Sequence, residues 1–401
     1  MNISRLRFVV LSITLALALV GGLLIVTRLS ASTMLQQSPV GQGKSVSTLS
    51  GESSANASIV WISQTVGAAI KSRKIAIAID SSERPHLAYY LDNDDHSVVY
   101  AQWNGYSWIT QTISKKGSIN YISLVLDSNN YPHLSYHNWP DFKLEYAHWN
   151  GTDWLTDTVA VSSRAGFHSM VLDGNEWPHL SYVDSDWHLQ YIYWNGSSWI
   201  SDTVDASAGN NVDGNMLALD SSGNPHIGYR YDDQPYLKYA YWDGAQWIID
   251  TPDMGYVSAY VSFALDSQDR PHLSYGDWWN GGLLYLYWNG LEWVKQEVDT
   301  TDAGGSYNSL QLDNNDRPAI SYMDHTNFNL KYAFWDGSSW ISDTVDASAS
   351  VGESSSLVLD DNGVSYISYF DNTNGTVKYA MGIDGSTSFS YLYLPVVVRM
   401  P

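Results

Sequence analysis

Residues 122–159 read ISLVLDSNNYPHLSYHNWPDFKLEYAHWNGTDWLTDTV, and a closely similar stretch returns along most of the chain. The aspartate that ends its first apolar run recurs at intervals of 46 or 47 residues, at Asp80, Asp127, Asp173, Asp220, Asp266, Asp313 and Asp360. A tyrosine follows this aspartate nine residues later in all seven units, and a proline follows it five residues later in six of them. A fixed period of this length indicates a repeat architecture.

Each repeat is predicted to form four short strands. In the quoted unit the strands are 123–127, 132–137, 143–149 and 154–159, which are rich in Tyr, Trp and Val. A proline-ended turn separates the first two, and an Asn-Gly or Asp-Gly hairpin between two tryptophans separates the last two. Four strands in a unit of this length match one blade of a β-propeller. The sequence therefore predicts an all-β fold, a seven-bladed β-propeller of four-stranded antiparallel blades.

The two ends of the repeat region indicate that the ring is closed. Residues 60–66, VWISQTV, have the pattern of a fourth strand without the three strands that should precede it, whereas residues 355–381 supply three strands without the final hairpin. We expect the N-terminal strand to complete the last blade, because this pairing removes two exposed sheet edges. A further strand predicted at 388–399 would cap the ring or compete for that position.

The chain is predicted to have four regions. Residues 1–28 contain Arg5, Arg7 and then twenty uncharged residues before Arg28, which is typical of a signal peptide or a signal-anchor helix. Residues 29–58 are rich in Ser, Gln, Gly and Ala and are expected to form a flexible linker. The propeller is predicted at 59–385 and a C-terminal strand or tail at 386–401. The protein is thus expected to be extracytoplasmic, either secreted or anchored to the membrane by its N-terminal segment.

Charge and composition limit the classes of partner that this chain is expected to bind. The net charge is −22, from 20 basic and 42 acidic residues, so a nucleic acid is not expected to bind. The chain has no cysteine and therefore neither a thiol nucleophile nor a cysteine-based metal site. No cofactor or metal is predicted. The expected partner is a glycan or an extracellular protein, and the membrane is contacted only through the N-terminal segment.

The most conspicuous repeated residues are interpreted as structural. A histidine occupies the same position in five units, at His86, His133, His179, His226 and His272. Symmetric positions in a ring lie too far apart to meet at one ion, so these histidines are expected to form hydrogen bonds within or between blades. The seven repeated aspartates are expected to cap the turns that follow them.

Recognition is expected where the repeats differ. The loops between the second and third strands and the segments leading into the first strand lie on one face of a propeller, and there aromatic and acidic residues accumulate. Tyrosine and tryptophan faces beside carboxylates suit a polyhydroxylated ligand that is neutral or cationic. The predicted binding residues are Tyr121, His137, Trp139, Trp187, Arg230, Tyr231, Asp232, Tyr260, Asp277, Trp278, Trp279, Tyr307 and His325; Phe167 and His168 lie in one of the same segments. The alternative is that these aromatic residues pack between blades.

The PHLSY strand and the WNGSSW hairpin at 194–199 resemble the repeats of exported β-propellers outside the WD40 class, and the hairpin is similar to the repeat ends of fungal fucose-binding propeller lectins. That resemblance implies a propeller fold. Fucose recognition in those lectins uses an Arg and a Glu in each blade, whereas the third strand here carries Lys143, Lys238, Lys331, Lys378 or Gln190. The resemblance therefore does not imply fucose as the ligand.

Two enzymatic functions remain as alternative hypotheses to binding. Sialidases are similar in fold, but the Ser-x-Asp-x-Gly-x-x-Trp box is missing, and Arg84, Arg270 and Arg317 occupy equivalent turns of three different blades. A carboxylate pair for glycoside hydrolysis would need two acids about 5 to 9.5 Å apart. Asp184, Asp186, Asp232 and Asp277 are the candidates. We interpret the chain as a binding module without assigned catalytic residues; a propeller glycoside hydrolase or polysaccharide lyase is the second interpretation, and a cell-surface interaction scaffold is the third.

Overall fold

The computed structural model describes residues 59–68, 75–92, 96–115, 121–138, 141–161, 163–206, 212–231, 236–277, 281–300, 304–348 and 350–384. The predicted N-terminal segment 1–28, the linker 29–58 and the tail 386–401 lie outside these residues, as do Trp139, Asp232, Trp278 and Trp279. None of the described residues belongs to a helix that could span a lipid bilayer.

The predicted fold is confirmed: seven sheets of four antiparallel strands form a ring. Strand β1 (Ile59–Ala68) comes first in the chain. Blade 1 contains β2 (Ile75–Ile79), β3 (Pro85–Leu91), β4 (Ser97–Trp103) and β5 (Trp108–Lys115). Blade 2 contains β6 (Ile122–Leu126), β7 (Pro132–Asn138), β8 (Lys143–Trp149) and β9 (Trp154–Val161). Blade 3 contains β10 (Ser163–Leu172), β11 (Pro178–Asp184), β12 (Leu189–Trp194) and β13 (Trp199–Asp205).

The remaining blades have the same order. Blade 4 contains β14 (Val212–Leu219), β15 (Pro225–Tyr231), β16 (Tyr236–Trp242) and β17 (Trp247–Asp253). Blade 5 contains β18 (Val257–Leu265), β19 (Pro271–Asp277), β20 (Leu283–Trp288) and β21 (Trp293–Asp299). Blade 6 contains β22 (Gly304–Leu312), β23 (Pro318–Asp324), β24 (Asn329–Trp335) and β25 (Trp340–Asp346). Blade 7 contains β26 (Val351–Leu359), β27 (Ser365–Asp371) and β28 (Thr376–Asp384), and β1 is its outermost strand.

The first strand of each blade lines the inside of the ring. These inner strands contact one another in sequence from β2 through β6, β10, β14, β18 and β22 to β26, which in turn contacts β2. Each blade therefore packs between two neighbours, and apolar residues of adjacent blades share one core cluster. In one such cluster, Leu237 and Tyr239 of blade 4 join Leu273 and Tyr275 of blade 5.

The N-terminal strand completes the last blade, as the sequence predicted. It pairs antiparallel with β28 from Ile59 opposite Asp384 to Ala68 opposite Thr376. Trp61 on this strand occupies the position that the second hairpin tryptophan has in the other blades. Its ring meets Tyr332 of blade 6 edge-on, with the centroids 5.2 Å apart, and its Nε1 donates a hydrogen bond to Asp343 at 3.0 Å.

The same tryptophan–tyrosine contact recurs at all seven blade interfaces. In each case a tryptophan on the outermost strand packs edge-on against a tyrosine on the third strand of the preceding blade, with centroids 5.2–5.7 Å apart. Edge-to-face pairs of this kind contribute about 0.5–1.5 kcal/mol each beyond the area that they bury. The repeated tryptophans therefore stabilise the ring and are not free for recognition.

A buried polar clamp joins blades 5 and 6. Asp299 at the end of blade 5 accepts hydrogen bonds from the Tyr322 hydroxyl and from Lys331 Nζ of blade 6, both at 2.5 Å. The same arrangement recurs between blades 3 and 4 and between blades 6 and 7, in the sets Tyr229, Lys238 and Asp205, and Tyr369, Lys378 and Asp346. The strand register also corrects one sequence assignment: Tyr136 lies opposite Glu145, so Lys143 is not the blade 2 counterpart of these lysines.

Candidate functional site

The two faces of the ring differ in their loops. One face, the turn face, carries the turns between the first and second strands of each blade and the tryptophan hairpins. All seven repeated aspartates cap these turns as predicted; for example, Asp80 Oδ1 accepts hydrogen bonds from the backbone N–H groups of Ser82 and Arg84, each at 2.8 Å. The opposite face, the loop-rich face, carries the connections between the second and third strands and those between blades. The turn face is therefore uniform, and the loop-rich face is where the blades differ.

The repeated histidines belong to the turn-face side of each blade and have structural partners. His86 Nδ1 lies 2.5 Å from the Tyr100 hydroxyl, and its Nε2 lies 3.4 Å from the Asp80 carboxylate. The carboxylate can only accept, so Nε2 is placed to donate to Asp80 and Nδ1 to accept the tyrosine proton. The other four histidines have the same partners, with Nε2 3.3–3.8 Å from the aspartate. Among the residues that the structure describes, no group of three or more His, Asp or Glu side chains could hold a metal ion.

These buried histidines predict that the protein loses stability in mild acid. Burial and the neighbouring His148 lower the pKa of His133 to about 4, and burial also lowers the pKa of His179, His226 and His272. In the unfolded chain a histidine titrates near pH 6.5. Between these values the unfolded state binds more protons, so the free energy of unfolding falls as the pH falls from 6.5 to 4. His133 alone contributes about 3 kcal/mol over the full window.

Urea denaturation at pH 7.5 and pH 5 measures this effect. The His133→Gln variant should show a smaller difference between the two pH values than the parent chain. His325→Gln, which changes an exposed histidine, should leave the difference unchanged. A parent chain that is equally stable at both pH values would contradict the prediction.

Two pairs of aromatic rings lie at the inner strands, near the loop-rich face. Tyr121 of blade 2 packs against Phe167 of blade 3, and Tyr260 of blade 5 packs against Tyr307 of blade 6; both pairs have centroids 4.2 Å apart. Each of the four residues lies six positions before the repeated aspartate of its unit. We call these four half-buried residues the aromatic floor.

The electrostatic surroundings of Tyr260 indicate that the two pairs of the aromatic floor lie near each other. Burial raises the pKa of Tyr260 well above its ordinary value, and the nearby Tyr307, Tyr121 and Glu353 raise it further. Blades 2 and 5 lie on opposite sides of the ring. Blades 3 and 4 separate them in one direction, and blades 6, 7 and 1 separate them in the other. Tyr121 and Tyr260 can therefore be neighbours only at the axis, where the aromatic floor crosses the channel.

Hydrogen bonds between blades hold the backbone of the aromatic floor. Asn215 Nδ2 donates to the carbonyl of Phe167 at 3.0 Å, and Asn308 Nδ2 donates to that of Tyr260 at 2.8 Å. Ser355 Oγ donates to the carbonyl of Tyr307 at 2.5 Å. In each case the donor lies on the inner strand of the next blade, so the aromatic residues are positioned before any ligand arrives.

The backbone at Tyr307 is strained. Its φ is 51°, in the left-handed region that a bulky side chain rarely adopts. Strain of this kind costs about 1–3 kcal/mol and tends to be found at functional sites. It is maintained here by the bond from Ser355 and by a bulged pairing between β22 and β23 around Ser306 and Ser309.

One carboxylate belongs to the same region. Glu353 lies on β26 of blade 7, is half-buried, and is near enough to Tyr260 to raise the pKa of that residue. Glu353 forms no ion pair and no hydrogen bond through its side chain with any described residue. This region therefore combines aromatic rings with a carboxylate.

Three more aromatic residues stand in the loops of the loop-rich face. Phe142, Trp187 and Phe328 each occupy the connection between the second and third strands, with φ values of 51°, 67° and 58°. Phe142 is 41% exposed and Phe328 is 47% exposed, while Trp187 packs partly against the core cluster that contains Val183 and Leu189. We call these residues the aromatic rim. Their strained backbone and exposed rings make them further candidates for ligand contact.

The structure brings only some of the predicted binding residues together. Tyr121, Tyr260 and Tyr307 meet in the aromatic floor, and Trp187 lies in the aromatic rim. His325 is exposed in a blade 6 loop, Asp277 is half-buried at the end of β19, and Tyr231 is the last residue of β15. The roles of these residues, and of those outside the described ranges, stay predictions.

His137 and Arg230 share one repeated position, the residue after the repeated tyrosine, and this position packs between blades. His137 is fully buried and Arg230 is half-buried. At the same position of blade 5, a methyl group added to Gly276 would lie 2.6 Å from Ser258 Oγ and 3.2 Å from the backbone of Gly305. The variation along the chain at this position therefore follows the packing of neighbouring blades, and the binding roles of His137 and Arg230 stay predictions.

Several functional candidates were missed by the sequence reasoning. These are Glu353, the donors Asn215, Asn308 and Ser355, and the rim residues Phe142 and Phe328. The shared spacing of six residues before the repeated aspartate was the signal that could have grouped the aromatic floor, including Phe167.

One of the acids proposed for hydrolysis, Asp184, already has hydrogen-bond partners in its own loop. Asp184 caps its own loop by accepting hydrogen bonds from the N–H groups of Asp186 and His188, each at 2.9 Å, and its second oxygen accepts one from Gln190 at 2.8 Å. Its carboxylate thus has a structural role. Asp232 lies outside the described residues.

No family model matches this chain, and no curated protein matches it. Among solved structures, the chain is similar to a fucose-specific lectin from Aleuria aurantia, with 14% identity over 70% of this chain and 98% of that one and a TM-score of 0.49. It is also similar to AofleA from Arthrobotrys oligospora, with 13% identity over 71% and 89% and a TM-score of 0.48, and to a protein of unknown function from Dyadobacter fermentans, with 10% identity over 80% and 98% and a TM-score of 0.47. At these identities and scores the likeness carries no argument about what this chain binds.

Proposed function

We propose that this propeller is an extracytoplasmic binding module that holds a carbohydrate over its aromatic floor. The observation that carries the proposal is the pairing of Tyr121 with Phe167 and of Tyr260 with Tyr307 on the inner strands, with Tyr121 near Tyr260. Aromatic faces stack on the apolar faces of sugar rings, while tyrosine hydroxyls and carboxylates bond the sugar hydroxyls. The extracytoplasmic location rests on the apolar segment at residues 8–27 of the sequence.

The position of the aromatic floor favours a small ligand or a chain end over a flat protein surface. Tyr260 and Tyr307 each lie three residues inside the start of their inner strand, at Val257 and Gly304. The loops with the aromatic rim extend from the same face. A ligand on the floor is therefore surrounded by strand ends and loops, which is the concave setting that small-molecule sites usually have.

Removing a floor ring should weaken glycan binding. Tyr260→Ala and Tyr307→Ala are each expected to reduce the affinity for the best glycan from an array by about 10-fold or more, because each removes a stacking surface worth at least about 1.4 kcal/mol. Isothermal titration calorimetry gives the affinity. Tyr260→Leu, which keeps apolar bulk without a flat ring, should show the same loss while preserving the fold.

Tyr106→Ala is the matched control, because Tyr106 is 88% exposed at a hairpin tip on the turn face. It should bind like the parent chain. Equal affinities of the Tyr260 variants and the parent chain would contradict the assignment of the aromatic floor as the glycan-binding site. Measuring new reducing ends in the same samples tests the hydrolase alternative, since a binding module retains the glycan without cleaving it.

A further inference from the structure

We infer that Asn150 and Asn195 are acceptor sites for N-linked glycans, and that the first sugar of each glycan stacks on an aromatic ring of the turn face. This inference goes beyond the proposed binding function, because it concerns the turn face and not the aromatic floor. The motif Asn-x-Ser/Thr, which marks such acceptors, occurs three times among the described residues, at Asn150-Gly151-Thr152, Asn195-Gly196-Ser197 and Asn374-Gly375-Thr376. The structure distinguishes the first two from the third.

The hairpins of blades 2 and 3 orient the two asparagines in the same way. Asn150 Oδ1 accepts hydrogen bonds from the backbone N–H groups of Thr152 and Asp153, at 2.9 and 2.8 Å, and from the Thr152 hydroxyl at 2.9 Å. Asn195 Oδ1 accepts the three equivalent bonds, each at 2.9 Å. Both asparagines are exposed, and neither Nδ2 atom has a hydrogen-bond partner in the part of the chain that the structure describes. The nitrogen that would carry the glycan is therefore available in the folded chain.

The third motif is held inside a loop cap. Asn374 Nδ2 donates a hydrogen bond to one oxygen of the Asp371 carboxylate at 2.8 Å, and the backbone N–H of Asn374 donates to the other oxygen at 2.9 Å. Asp371 is buried at the end of β27. A charge-assisted bond of this kind is stronger than one between neutral groups. We therefore expect Asn374 to accept a glycan only when its loop opens.

An aromatic ring lies beside each of the two hairpin motifs. A Cβ added to Gly151 would lie 2.9 Å from the Tyr131 hydroxyl, and one added to Gly196 would lie 2.8 Å from Cζ2 of Trp177. The two rings are 36% and 37% exposed. The glycines of the other four tryptophan hairpins have no described neighbour within 4 Å of that position. The ring and the acceptor motif therefore occur together in two hairpins, and the other four have neither.

The modification would place a sugar next to each ring. Nδ2 attacks the anomeric carbon of a sugar carried on a lipid pyrophosphate, so that a C–N bond forms and the bond from this carbon to the pyrophosphate oxygen breaks. Nδ2 releases one proton to solvent, and no oxidant or reductant is needed. The acceptor asparagine is adjacent in sequence to the glycine that contacts the ring. The apolar face of the first sugar can therefore stack on Tyr131 or Trp177. The reaction requires an exported chain, which agrees with the apolar segment at residues 8–27.

The first test uses the purified, folded full chain as the acceptor. It is incubated with a single-subunit oligosaccharyltransferase and a lipid-linked glycan, and peptide mapping by mass spectrometry gives the modified fraction of each asparagine. We expect Asn150 and Asn195 to be modified at least about 10-fold more than Asn374, because only Asn374 has to break a bond to a carboxylate first. Synthetic peptides of residues 147–155 and 370–379 are the controls and should be modified equally.

The second test uses proton NMR of the modified chain to detect stacking. The ring current of Trp177 should shift the resonances of the first sugar on Asn195 upfield, and Trp177→Ala should abolish this shift without preventing modification. Leu291→Thr is the matched control, because it creates the same motif at Asn289 in a hairpin whose glycine, Gly290, has no described neighbour within 4 Å. Its glycan should show no upfield shift.

The outcomes separate this inference from the proposed function. Absence of glycan from Asn150 and Asn195, or equal modification of Asn374 in the folded chain, overturns the assignment of the two sites. Sugar resonances that are the same at Asn195 and in the Leu291→Thr control overturn the stacking. The double variant Asn150→Gln with Asn195→Gln should lose both glycans and still bind a carbohydrate at the aromatic floor, since the hairpins lie on the opposite face of the ring.

Discussion

A chain that lacks residues 1–68 should fail to form a stable ring, whereas a chain that lacks only residues 1–58 should fold normally. The difference between them is β1, which supplies the outermost strand of blade 7 and pairs along the whole of β28. Loss of a packed tryptophan such as Trp61 costs about 3 kcal/mol, and domains of this kind are stable by only about 5–15 kcal/mol. Removing the strand also exposes the edge of β28, which invites association between chains.

Thermal unfolding and size-exclusion chromatography distinguish the two chains. The longer deletion should give a lower unfolding temperature, aggregation or both, and Trp61→Ala should lie between it and the chain that begins at Ile59. Adding a peptide of residues 59–68 should restore a monomer. A monomer that lacks residues 1–68 and unfolds at the original temperature would contradict the prediction. If that stability disappears when residues 386–401 are also removed, the predicted strand at 388–399 takes the place of β1.

The ring closure was predictable because the repeat is regular. A seven-fold pattern with a fixed aspartate, proline and tyrosine leaves little freedom in strand order, and the missing fourth strand of the last unit had a single matching fragment, VWISQTV. The turn caps were predictable for a similar reason, since an aspartate at the start of a turn bonds the N–H groups two and four residues later. Local chemistry repeated seven times is a strong signal even in one sequence.

At the position after the repeated tyrosine, the structure offers a second explanation of the variation. Variation at a repeated position predicted ligand recognition, yet Tyr90, Val183, Met323 and Phe370 are buried there. A side chain between two blades needs only to fit the residues of the adjacent blade, so different residue types can occupy this position at different interfaces. At position 276, the backbone of Gly305 lies so close that it leaves little room for a side chain. A single sequence does not distinguish such paired packing from recognition.

The aromatic floor was only partly predictable. Tyr121, Tyr260 and Tyr307 were among the predicted binding residues, but their convergence depends on the ring geometry, which joins residues about 140 positions apart in sequence. Glu353 was missed because β26 is bulged on both sides of it, between Val351 and Glu353 and between Glu353 and Ser356. Side chains of a regular strand alternate between its two faces, and this alternation predicts which face each side chain lies on. A bulge interrupts the alternation.

Replacing the buried Asp299 should destabilise the protein more than replacing an acidic residue at an exposed site. Its carboxylate accepts hydrogen bonds from Tyr322, which is fully buried, and from Lys331, which is 8% exposed. Asp299→Ala removes the carboxylate that accepts the hydrogen bond of the buried ammonium group of Lys331. Removing one partner of such a pair costs about 3–5 kcal/mol. Urea denaturation at neutral pH should show this loss as a lower midpoint with an unchanged slope.

Two further variants separate charge from hydrogen bonding in this clamp. Asp299→Asn keeps an acceptor for the Tyr322 hydroxyl and should cost less than Asp299→Ala. Combining Asp299→Asn with Lys331→Met removes both charges, and the double variant should be more stable than the sum of the single losses predicts. Asp361→Ala, at an exposed turn residue, is the control and should change stability by less than about 0.5 kcal/mol. Additive losses in the double variant would show that Asp299 and Lys331 do not act as a pair, and the clamp between blades 5 and 6 would then owe its strength to the tyrosine alone.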